Sequence, residues 1–464
     1  MKRRSPLNVF GFRQVLVVGF LGFLGLGILS PPSGLGEEKG VRVLTREEGL
    51  RIALEKNKDI QKAQEYRNSV MGRYVEERSA ALPQLQLSAG FLRDRDDATQ
   101  EAFRGLFPAE KETWAAEVGV TQIIYSFGRV GAAIRAAKIG LATAEDQLRI
   151  FQQAALRDVS SAFDDVLLAK EIHALAVQNF DQKVRIQGET RRKHAAGVAT
   201  DYDVLAADVA VENARPEVIR RENQIRLTRE KLRFLLGLEG EEVDAQGTFE
   251  ETITPYPSYE KGVDTAWTSR PDLSDLRKRI GIAAELVKIY DAEDKPRVDL
   301  KASYGYRDIN YIDEARGDGQ VWSAGVFLTF PFFDGMRSRG KTAQAKSDLR
   351  SLKIDEAKLR DSIALQVRDA VNACREAEEI VRAISGTVRQ AERLLYMAER
   401  GYEYGVKTKL EVDDAQLSVI QAKGNLARAR RDYSVARVTL DWVLGTLGEK
   451  NQPLSYSRSA FSQK

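Results

Sequence analysis

The feature that most constrains this chain is an internal duplication, in which a strand pattern, a short turn and a helical pattern occur twice in the same order. The first copy covers residues 114–138 and the second covers residues 322–346, an offset of 322 − 114 = 208 residues. In each copy, apolar residues first alternate with small or polar ones and then recur at helical spacing. The same offset matches Arg129 with Arg337, Val159 with Val367, Gly197 with Gly405, Thr200 with Thr408, and Gly237 with Gly445. The sequence therefore predicts two copies of one strand–turn–helix unit.

The duplication continues upstream of these segments at an offset of 213 residues. At this offset the matched residues include Ala53 with Ala266 and Asp59 with Asp272. The change of offset falls in the loop between the two strands, because 23 residues separate Phe91 from Trp114 whereas 18 separate Tyr304 from Trp322. We therefore predict that the two repeats differ mainly in the length of this loop.

Residues 1–36 have the layout of a secretory signal peptide. Basic residues open the segment, an apolar run extends from Val9 to Leu29, and small residues follow at positions 33–36. We expect this segment to be removed, and an anchoring helix is the alternative. No cysteine follows the apolar run, which disfavours a bacterial-type lipid anchor.

Without this segment the chain is close to neutral. Lys2, Arg3, Arg4 and Arg13 are the only charges before residue 37, so 71 − 4 = 67 basic residues remain against 68 acidic ones. No basic patch is interleaved with aromatic residues. A nucleic-acid-binding function is therefore disfavoured.

Residues for thiol or metal chemistry are scarce. The only cysteine is Cys374, and the only histidines are His173 and His194. An internal disulfide is excluded and a Cys/His metal site has almost no ligands. Cys374 belongs to a heptad series of small and apolar residues from Val367 to Leu395, which predicts a buried coiled-coil position.

Pairs of acidic residues are the remaining candidates for catalysis. Asp164 and Asp165 form one pair, and Glu378 and Glu379 form another. No nucleophile, base or phosphate-binding loop accompanies them, and both pairs lie in charged stretches of helical pattern. We expect them on solvated helix faces, and we expect neither enzymatic activity nor a cofactor.

Within the first repeat, the sequence predicts a helix followed by two strands. The helix is expected from Thr45, where Glu48 completes a capping-box pattern, to about Ala81. Alternating residues then predict a strand near residues 85–91, and the polar segment 93–112 is predicted to be a loop before the strand at Trp114.

The long helix that follows is the largest predicted element. No proline occurs between residues 129 and 196, so a helix of about 1.5 Å rise per residue would be on the order of 100 Å long. Gly197 begins a hairpin tip, and a helix is predicted to return from Thr200 to Leu236 with an interruption at Pro216. The shorter helices on either side of the long one are together able to cover its length.

These elements predict the division of the chain into segments. The signal peptide at 1–36 is followed by a first structural repeat at 37–238, a linker at 239–259, a second repeat at 260–446 and a C-terminal tail at 447–464. The second repeat is expected to have strands near 298–306 and 321–330 and a hairpin tip at Gly405.

The strands have the alternation of membrane-spanning β segments. In the second repeat, Leu300, Ala302 and Tyr304 alternate with Lys301 and Ser303. A soluble antiparallel sheet with one solvated face has the same pattern. In a membrane every strand edge must be paired, and four strands are too few to close an open barrel. A membrane-spanning chain of this kind must therefore oligomerise.

The sequence resembles the TolC-like outer-membrane efflux proteins over residues 41 to 448. The resemblance rests on the duplication, on Ala81–Leu85 before the first strand, on the strand-to-helix turns at residues 125–129 and 333–337, and on the tip at Ala196–Thr200. It implies a mainly α fold in which long antiparallel helical hairpins form an α-barrel continuous with four β-strands per protomer. Three protomers would form a homotrimer with one 12-stranded transmembrane β-barrel.

The resemblance also implies a location and partners. The barrel would span the outer membrane among its lipids, with the helices in the periplasm. The helical tips would meet a periplasmic adaptor protein joined to an inner-membrane pump of the RND or ABC class, and the chain itself would need no cofactor. The expected tip contacts are Gly197, Val198, Thr200, Gly405, Val406 and Thr408.

In relatives the tunnel is narrowed at the tips, and the resemblance assigns the corresponding residues here. Glu411 and Asp414 match an acidic ring, three residues apart on one helix face. Tyr402, Lys407 and Asp203 match the polar links that hold the tips together. Glu411 stands where aspartate is usual, and Lys407 where arginine is, so we expect a looser link. Six converging carboxylates would attract cations. The alternative is that they are solvated acids beside a hairpin.

Two other classes of function remain at this point. A secreted periplasmic helical scaffold or adaptor without a membrane barrel would explain the heptad spacing equally well. It would not explain four strands with tyrosine and tryptophan near their ends, which is typical of membrane-interface belts. An enzyme is the least favoured class, for want of a catalytic constellation.

Overall fold

The computed structural model describes residues 41–102, 109–249, 255–311 and 315–448. The predicted signal peptide at 1–36 lies outside the described residues, as do residues 449–464 of the tail predicted at 447–464. In chain order the elements are β1 (Arg42–Leu44), α1 (Arg46–Lys56), α2 (Lys58–Ser79), β2 (Gln84–Arg95), α3 (Asp97–Ala102), β3 (Glu110–Tyr125), α4 (Arg129–Ala195), α5 (Asp201–Leu236), β4 (Val243–Ala245), α6 (Tyr259–Ser269), α7 (Pro271–Asp291), β5 (Arg297–Tyr311), β6 (Ala315–Thr329), α8 (Arg337–Glu403) and α9 (Lys409–Val443).

The two long helices, α4 and α8, have 67 residues each, as the absence of helix-breaking residues predicts. Each packs against a shorter antiparallel partner, α5 and α9 respectively. The predicted interruption at Pro216 is wrong, because α5 runs through it. Pro216 is exposed, so water can satisfy the carbonyl group that loses its backbone partner. No helix in the described ranges is long and apolar enough to cross a membrane.

The first helical segment is divided in two, whereas the sequence predicted one helix from Thr45 to Ala81. Thr45 and Glu48 do form the predicted capping box. Asn57 is extended and ends α1, and its side-chain oxygen accepts hydrogen bonds from the backbone N–H groups of Asp59 and Ile60 at the start of α2. Asparagine is a favoured N-cap, which explains why a new helix begins here.

The two main hydrophobic cores are built from residues at equivalent positions of the two repeats. One cluster includes Ala53, Val159, Val166 and Leu232, and the other includes the residues at equivalent positions. Those equivalents are Ala266, Val367, Cys374 and Leu440, all buried. Cys374 is therefore a core residue, as predicted, and burial raises the pKa of its thiol to about 11.

A four-stranded antiparallel sheet of order β2-β3-β5-β6 joins the repeats. Phe91 pairs with Trp114, and at the equivalent positions of the second repeat Tyr304 pairs with Trp322. The predicted loop at 93–112 is wrong at both ends, because β2 continues to Arg95 and β3 begins at Glu110. Ion pairs across the strands, including Arg93 to Glu110 at 2.8 Å, stabilise this polar end of the hairpin.

The linker predicted at 239–259 contains a strand that the sequence did not reveal. β4 pairs in parallel with β1, both of three residues. Asp244 in β4 accepts hydrogen bonds from Lys170 of α4 at 2.7 Å and from Arg229 of α5 at 2.9 Å. The linker is therefore attached to the helices of the first repeat.

Candidate channel wall and helical tips

The four-stranded sheet has one continuous apolar face. Residues directly opposite each other in an antiparallel sheet share a face. Leu87 pairs with Val118, Val118 with Tyr304, and Tyr304 with Trp322. These side chains are exposed in the single chain, with Leu87 at 74% and Trp322 at 73% of full exposure. Such a contiguous exposed apolar surface suits lipid and not water.

The opposite face of the sheet carries polar and small residues. Gln86, Gly119, Ser303 and Ser323 follow one another across the four strands. The hydroxyl groups of Ser303 and Ser323 are hydrogen-bonded at 3.0 Å. Gly305 lies in the next part of this face, where an added Cβ atom would come within 2.4 Å of the carbonyl oxygen of Ala116. This face suits contact with water.

The sheet is open, because β2 and β6 each have a neighbour on one side only among the described strands. Helices α5 and α8 also expose apolar side chains. On α5 the exposed residues include Tyr202, Leu205, Val209, Ile219, Leu227 and Phe234, and on α8 they include Ile354, Leu365, Leu394 and Met397. The unpaired strand edges and these apolar helix surfaces are both typical of contacts with another chain.

The turns from strand to long helix have the same backbone in both repeats. Phe127 and Gly128 have φ of 48° and 83°, and their equivalents Gly335 and Met336 both have φ of 68°. Two consecutive left-handed residues are thus required at each turn, and each repeat places glycine at a different one of the two positions. Phe127 and Met336 accept this conformation at a cost of about 1 kcal/mol each.

The helical tips are also equivalent in the two repeats. Thr200 caps α5 with Asp203 at the third helical position, and Thr408 caps α9 with Glu411 at the matching position. The Asp203 carboxylate accepts hydrogen bonds from the backbone N–H and the hydroxyl of Thr200 at 2.8 and 2.7 Å. These bonds lower the pKa of Asp203. Asp203, predicted as a link, and Glu411, predicted as part of the acidic ring, therefore both complete a helix cap.

Glu411 is further engaged by Lys407. The Lys407 ammonium group donates a hydrogen bond to the Glu411 carboxylate at 2.5 Å, and the backbone N–H of Thr408 donates another at 2.8 Å. These contacts lower the pKa of Glu411 to about 2, with the bond from Lys407 as the largest cause. Glu411 is half-exposed and stays ionised at neutral pH. Asp414, one helical turn further on, is exposed.

The residues that face each other across each tip are equivalent but chemically different. In the first repeat, His194 Nε2 and Asp201 Oδ1 are 2.8 Å apart. In the second repeat, the Lys409 ammonium lies 5.8 Å from the centre of the Tyr402 ring, a cation–π contact. Lys193 of the first repeat approaches the same ring at 6.0 Å, so Tyr402 joins the two tips.

The structure brings part of the predicted gate set together. Lys407 contacts Glu411, and Tyr402 lies beside Lys193. Asp203, predicted to accept a link from Tyr402 or Lys407, caps α5 through Thr200 within the single chain. The reason is the capping box, whose sequence signature is present at Thr200. The acidic side chain that projects from this tip is Asp201, at 99% exposure, and sequence reasoning missed it.

The expectation that Asp164 and Asp165 are solvated is wrong. Asp164 is fully buried and accepts hydrogen bonds from Arg46 of α1 and from the Ser434 hydroxyl of α9, the latter at 2.7 Å. Asp165 pairs with Arg431 of α9 at 2.6 Å. The helix pattern did not show which face packs between the repeats. Glu378 is likewise paired, with Arg382 one turn away.

These features define a class of protein. A sheet with one lipid-suited and one water-suited face, continuous with long paired helices, is typical of an outer-membrane channel. Within the described ranges, no group of three or more metal-ligating side chains comes together.

Comparison with known proteins agrees with this class. The sequence model of the outer membrane efflux protein family matches residues 49–238 and 262–446. The chain is 25% identical to the outer membrane protein TolC of Vibrio cholerae over 81% of this chain and 84% of that protein. It is 26% identical to the alkaline protease secretion protein AprF of Pseudomonas aeruginosa, over 88% of this chain and 85% of that protein. The outer membrane channel CmeC of Campylobacter jejuni has the same fold, with a TM-score of 0.77 at 15% identity. The match covers 86% of this chain and 85% of that chain.

The chain therefore belongs to the outer membrane efflux protein family. It is a channel of the outer membrane for efflux or secretion, with its helical part in the periplasm. This confirms the function and the location predicted from the sequence. It also decides against the alternative of a helical scaffold without a membrane-spanning sheet.

Proposed function

We propose that three copies of the chain form a homotrimer with a single 12-stranded barrel, through which substrates leave the cell. The observation that carries this proposal is the open four-stranded sheet, whose apolar face is exposed and whose two margins, β2 and β6, lack partners within the chain. In hydrocarbon, unpaired strand edges are too costly to persist, so β6 of one copy must pair with β2 of the next. The polar face then lines the bore.

The helical tips are the proposed contact surface for a periplasmic adaptor, which would connect the channel to an inner-membrane pump of the RND or ABC class. Val198 and Tyr202 are exposed at the first tip, and their equivalents Val406 and Leu410 are exposed at the second. An apolar pair at each tip, framed by Gly197 and Gly405, suits insertion between the helices of a partner hairpin. Thr200 and Thr408 support these surfaces as helix caps.

The tips are also the proposed periplasmic gate. Three copies of Glu411 and Asp414 would place six carboxylates around the bore, and Lys407 would offset part of that charge through its contact with Glu411. Such a ring would bind divalent cations and close the channel to current. Tyr402 and Lys407 remain the proposed links between hairpins. Asp203 remains the proposed acceptor, because both hydrogen bonds from Thr200 go to Oδ2 and leave its other oxygen free, and the more exposed Asp201 lies beside it in the chain.

Single-channel recording in planar lipid bilayers tests this gate. Divalent cations added on the tip side should block the wild-type channel. The double substitution Glu411→Ala with Asp414→Ala should remove the block and raise the conductance, because the cation site is lost.

The matched control is Asp413→Ala, which removes a neighbouring carboxylate that lies 3.7 Å from the Lys409 ammonium. The control channel should keep its cation block. Unchanged cation sensitivity in the double variant would show that these acids do not form a ring.

A further inference from the structure

A cleft of about 370 Å³ lies at the strand-to-helix turn of the second repeat. It is formed where β6 ends and α8 begins, beside the end of α7. Its lining includes Phe330, Phe332, Phe333, Lys295 and Arg339, and Phe127 from the turn of the first repeat. The cleft therefore combines large apolar side chains with two cationic and two acidic ones, and the acidic residues are Asp294 and Asp334.

The aromatic residues of the cleft continue the apolar face of the sheet. Trp322, Val326 and Leu328 alternate along β6 on that face, and Phe330 follows with the same spacing. At Pro331 the chain turns tightly, with the backbone N–H of Phe332 donating to the carbonyl oxygen of Phe330 at 3.0 Å. Phe332 and Phe333 are then left 86% and 75% exposed. They lie at the level where the membrane-spanning face ends.

The cationic residues differ in how well they are paired. The Lys295 ammonium lies 3.1 Å from the Asp294 carboxylate. The Asp334 carboxylate is occupied by the backbone N–H of Ser338 at 2.9 Å and by its hydroxyl. The Arg339 guanidinium donates a hydrogen bond to Met336 Sδ at 3.6 Å, and a thioether sulfur is a weak acceptor. Arg339 is exposed and has no carboxylate partner in the part of the chain that the structure describes.

We propose that this cleft binds a phospholipid of the periplasm-facing leaflet, with the lipid phosphate on Arg339 and Lys295 and the acyl chains along Phe332 and Phe333. A guanidinium group next to exposed aromatic side chains at the end of a lipid-facing strand matches the phosphate and the upper acyl chain of one lipid molecule. The inference rests on the outer-membrane location of the sheet and goes beyond its role as a channel.

Only the second repeat carries this combination. At the equivalent positions of the first repeat, Gln122 replaces Phe330 and Gly131 replaces Arg339. The cleft is therefore expected to hold one lipid per chain, and not two.

Native mass spectrometry of the full oligomer in detergent tests the proposal with dioleoyl phosphatidylethanolamine as the probe. The wild-type protein should bind one lipid per chain at saturation. Arg339→Gln should weaken binding on the order of tenfold, because a charge-assisted contact to phosphate is lost. The matched control Arg350→Gln removes an exposed arginine from the same helix outside the cleft, and it should bind as the wild type does.

Further arms separate the sources of the phosphate chemistry. Dioleoylglycerol, which has no phosphate, should not bind in the same stoichiometric way, and inorganic phosphate in millimolar excess should not displace the lipid. Equal binding of dioleoylglycerol, displacement by inorganic phosphate, or equal affinities of Arg339→Gln and Arg350→Gln would overturn the proposal.

The double substitution Phe332→Ser with Phe333→Ser tests the apolar half of the cleft. Bound lipid should be lost while the oligomer mass is unchanged. If the oligomer dissociates instead, these phenylalanines pack against another copy of the chain, and the lipid site is refuted. The single-channel conductance of all these variants should equal that of the wild type, so a failure of this proposal is distinct from a failure of the proposed gate.

Discussion

At the scale of single residues, the duplication has kept contacts while changing their chemistry. His194 and Asp201 face each other across one tip, and the equivalent Tyr402 and Lys409 face each other across the other. A polar side-chain contact in the first tip thus corresponds to a cation–π contact in the second. The two tips therefore differ in side-chain chemistry although their helix caps are equivalent.

Lys407 is predicted to control the acidity of Glu411. Its hydrogen bond is the main reason why the pKa of Glu411 is lowered from 4.5 to about 2. A lowered pKa means that the carboxylate, and any stability it contributes, is fully present above pH 4.5 and is lost as the pH falls through about 2. In an Asp414→Asn variant, Glu411 is the only carboxylate left in the proposed ring. Because Glu411 stays ionised there, the divalent-cation block should persist well below pH 4.5.

Adding Lys407→Met to that background should raise the pKa of Glu411 toward 4.5, so that the block is lost at a higher pH. Recording conductance against pH in the two backgrounds measures the shift directly. Identical pH profiles would mean that Lys407 does not control this carboxylate.

Asp164 is predicted to be the most sensitive acidic residue in the helical part. It is fully buried between α1, α4 and α9, and burial raises the pKa of its carboxyl despite the nearby Arg46. Asp164→Ala leaves Arg46 and Ser434 without their acceptor and should lower the free energy of unfolding by about 3 kcal/mol. Asp164→Asn keeps an acceptor without a charge to desolvate, so its effect should be clearly smaller.

The measurement is denaturant unfolding of the detergent-solubilised protein. The matched control is Asp158→Ala, on the same helix but with a partly exposed side chain paired to the adjacent Arg157, which should cost less than about 1 kcal/mol. Equal effects of the Asp158 and Asp164 substitutions would contradict the role assigned to the buried network.

At the scale of elements, each shorter helix ends against a break in another helical segment. Gly237 ends α5 with φ of 68° beside Lys56 and Asn57, where α1 gives way to α2. Its equivalent Gly445 has φ of 75° and lies beside Arg270, where α6 gives way to α7. The breaks and the glycines thus form one joint that occurs twice.

Gly237→Ala is predicted to disrupt this joint. The added Cβ atom would lie 2.2 Å from the carbonyl oxygen of Lys56, and the left-handed backbone is also unfavourable for alanine. We expect a loss of about 3 kcal/mol in the free energy of unfolding. Gly240→Ala is the matched control, since Gly240 has φ of 70° but no atom within 4 Å of the added Cβ. The Gly240→Ala variant should lose only about 1 kcal/mol in the free energy of unfolding, because alanine is unfavourable in the left-handed backbone conformation.

The difference between the two alanine variants measures the steric contact alone, in the same denaturant experiment. If both variants lose the same amount, the close approach to Lys56 is not a constraint on the fold.

At the scale of the whole molecule, the junction between the repeats predicts the junction between copies. β3 and β5 pair across the two repeats, with Val118 opposite Tyr304. The position equivalent to Val118 in β6 is Val326, and the position equivalent to Tyr304 in β2 is Phe91. If β6 of one copy pairs with β2 of the next in the same register as β3 pairs with β5, Val326 of one copy lies opposite Phe91 of the next.

Cysteine crosslinking tests this register. Phe91→Cys with Val326→Cys should form an intermolecular disulfide under mild oxidation, because directly opposite residues have Cα atoms about 5 Å apart. The expected product is a covalent trimer in a denaturing gel. Leu87→Cys with Val326→Cys shifts the register by four residues, or about 13 Å, and should not crosslink. Efficient crosslinking of the shifted pair alone would refute the predicted closure.

The helices, the strands and their repetition could be predicted from the sequence, because they follow from patterns among neighbouring residues. The change from a two-residue to a helical period located the strands, the turns and the long helices, and the constant offset revealed the duplication. The heptad spacing placed Cys374 in a core. These features depend only on which face of an element is apolar, and that property is written in consecutive residues.

The tertiary structure decided what depends on contacts between distant segments. Whether Asp164 is solvated or buried depends on where α1 and α9 pack. Whether residues 243–245 form a strand depends on β1, some 200 residues earlier in the chain. The capping role of Asp203 depends on the backbone at the tip, which brings the N–H group of Thr200 to its carboxylate. The sequence by itself therefore determined the elements and their repetition, whereas the buried polar partners were decided only by packing, because such pairs are set by three-dimensional proximity and leave no periodic pattern in the chain.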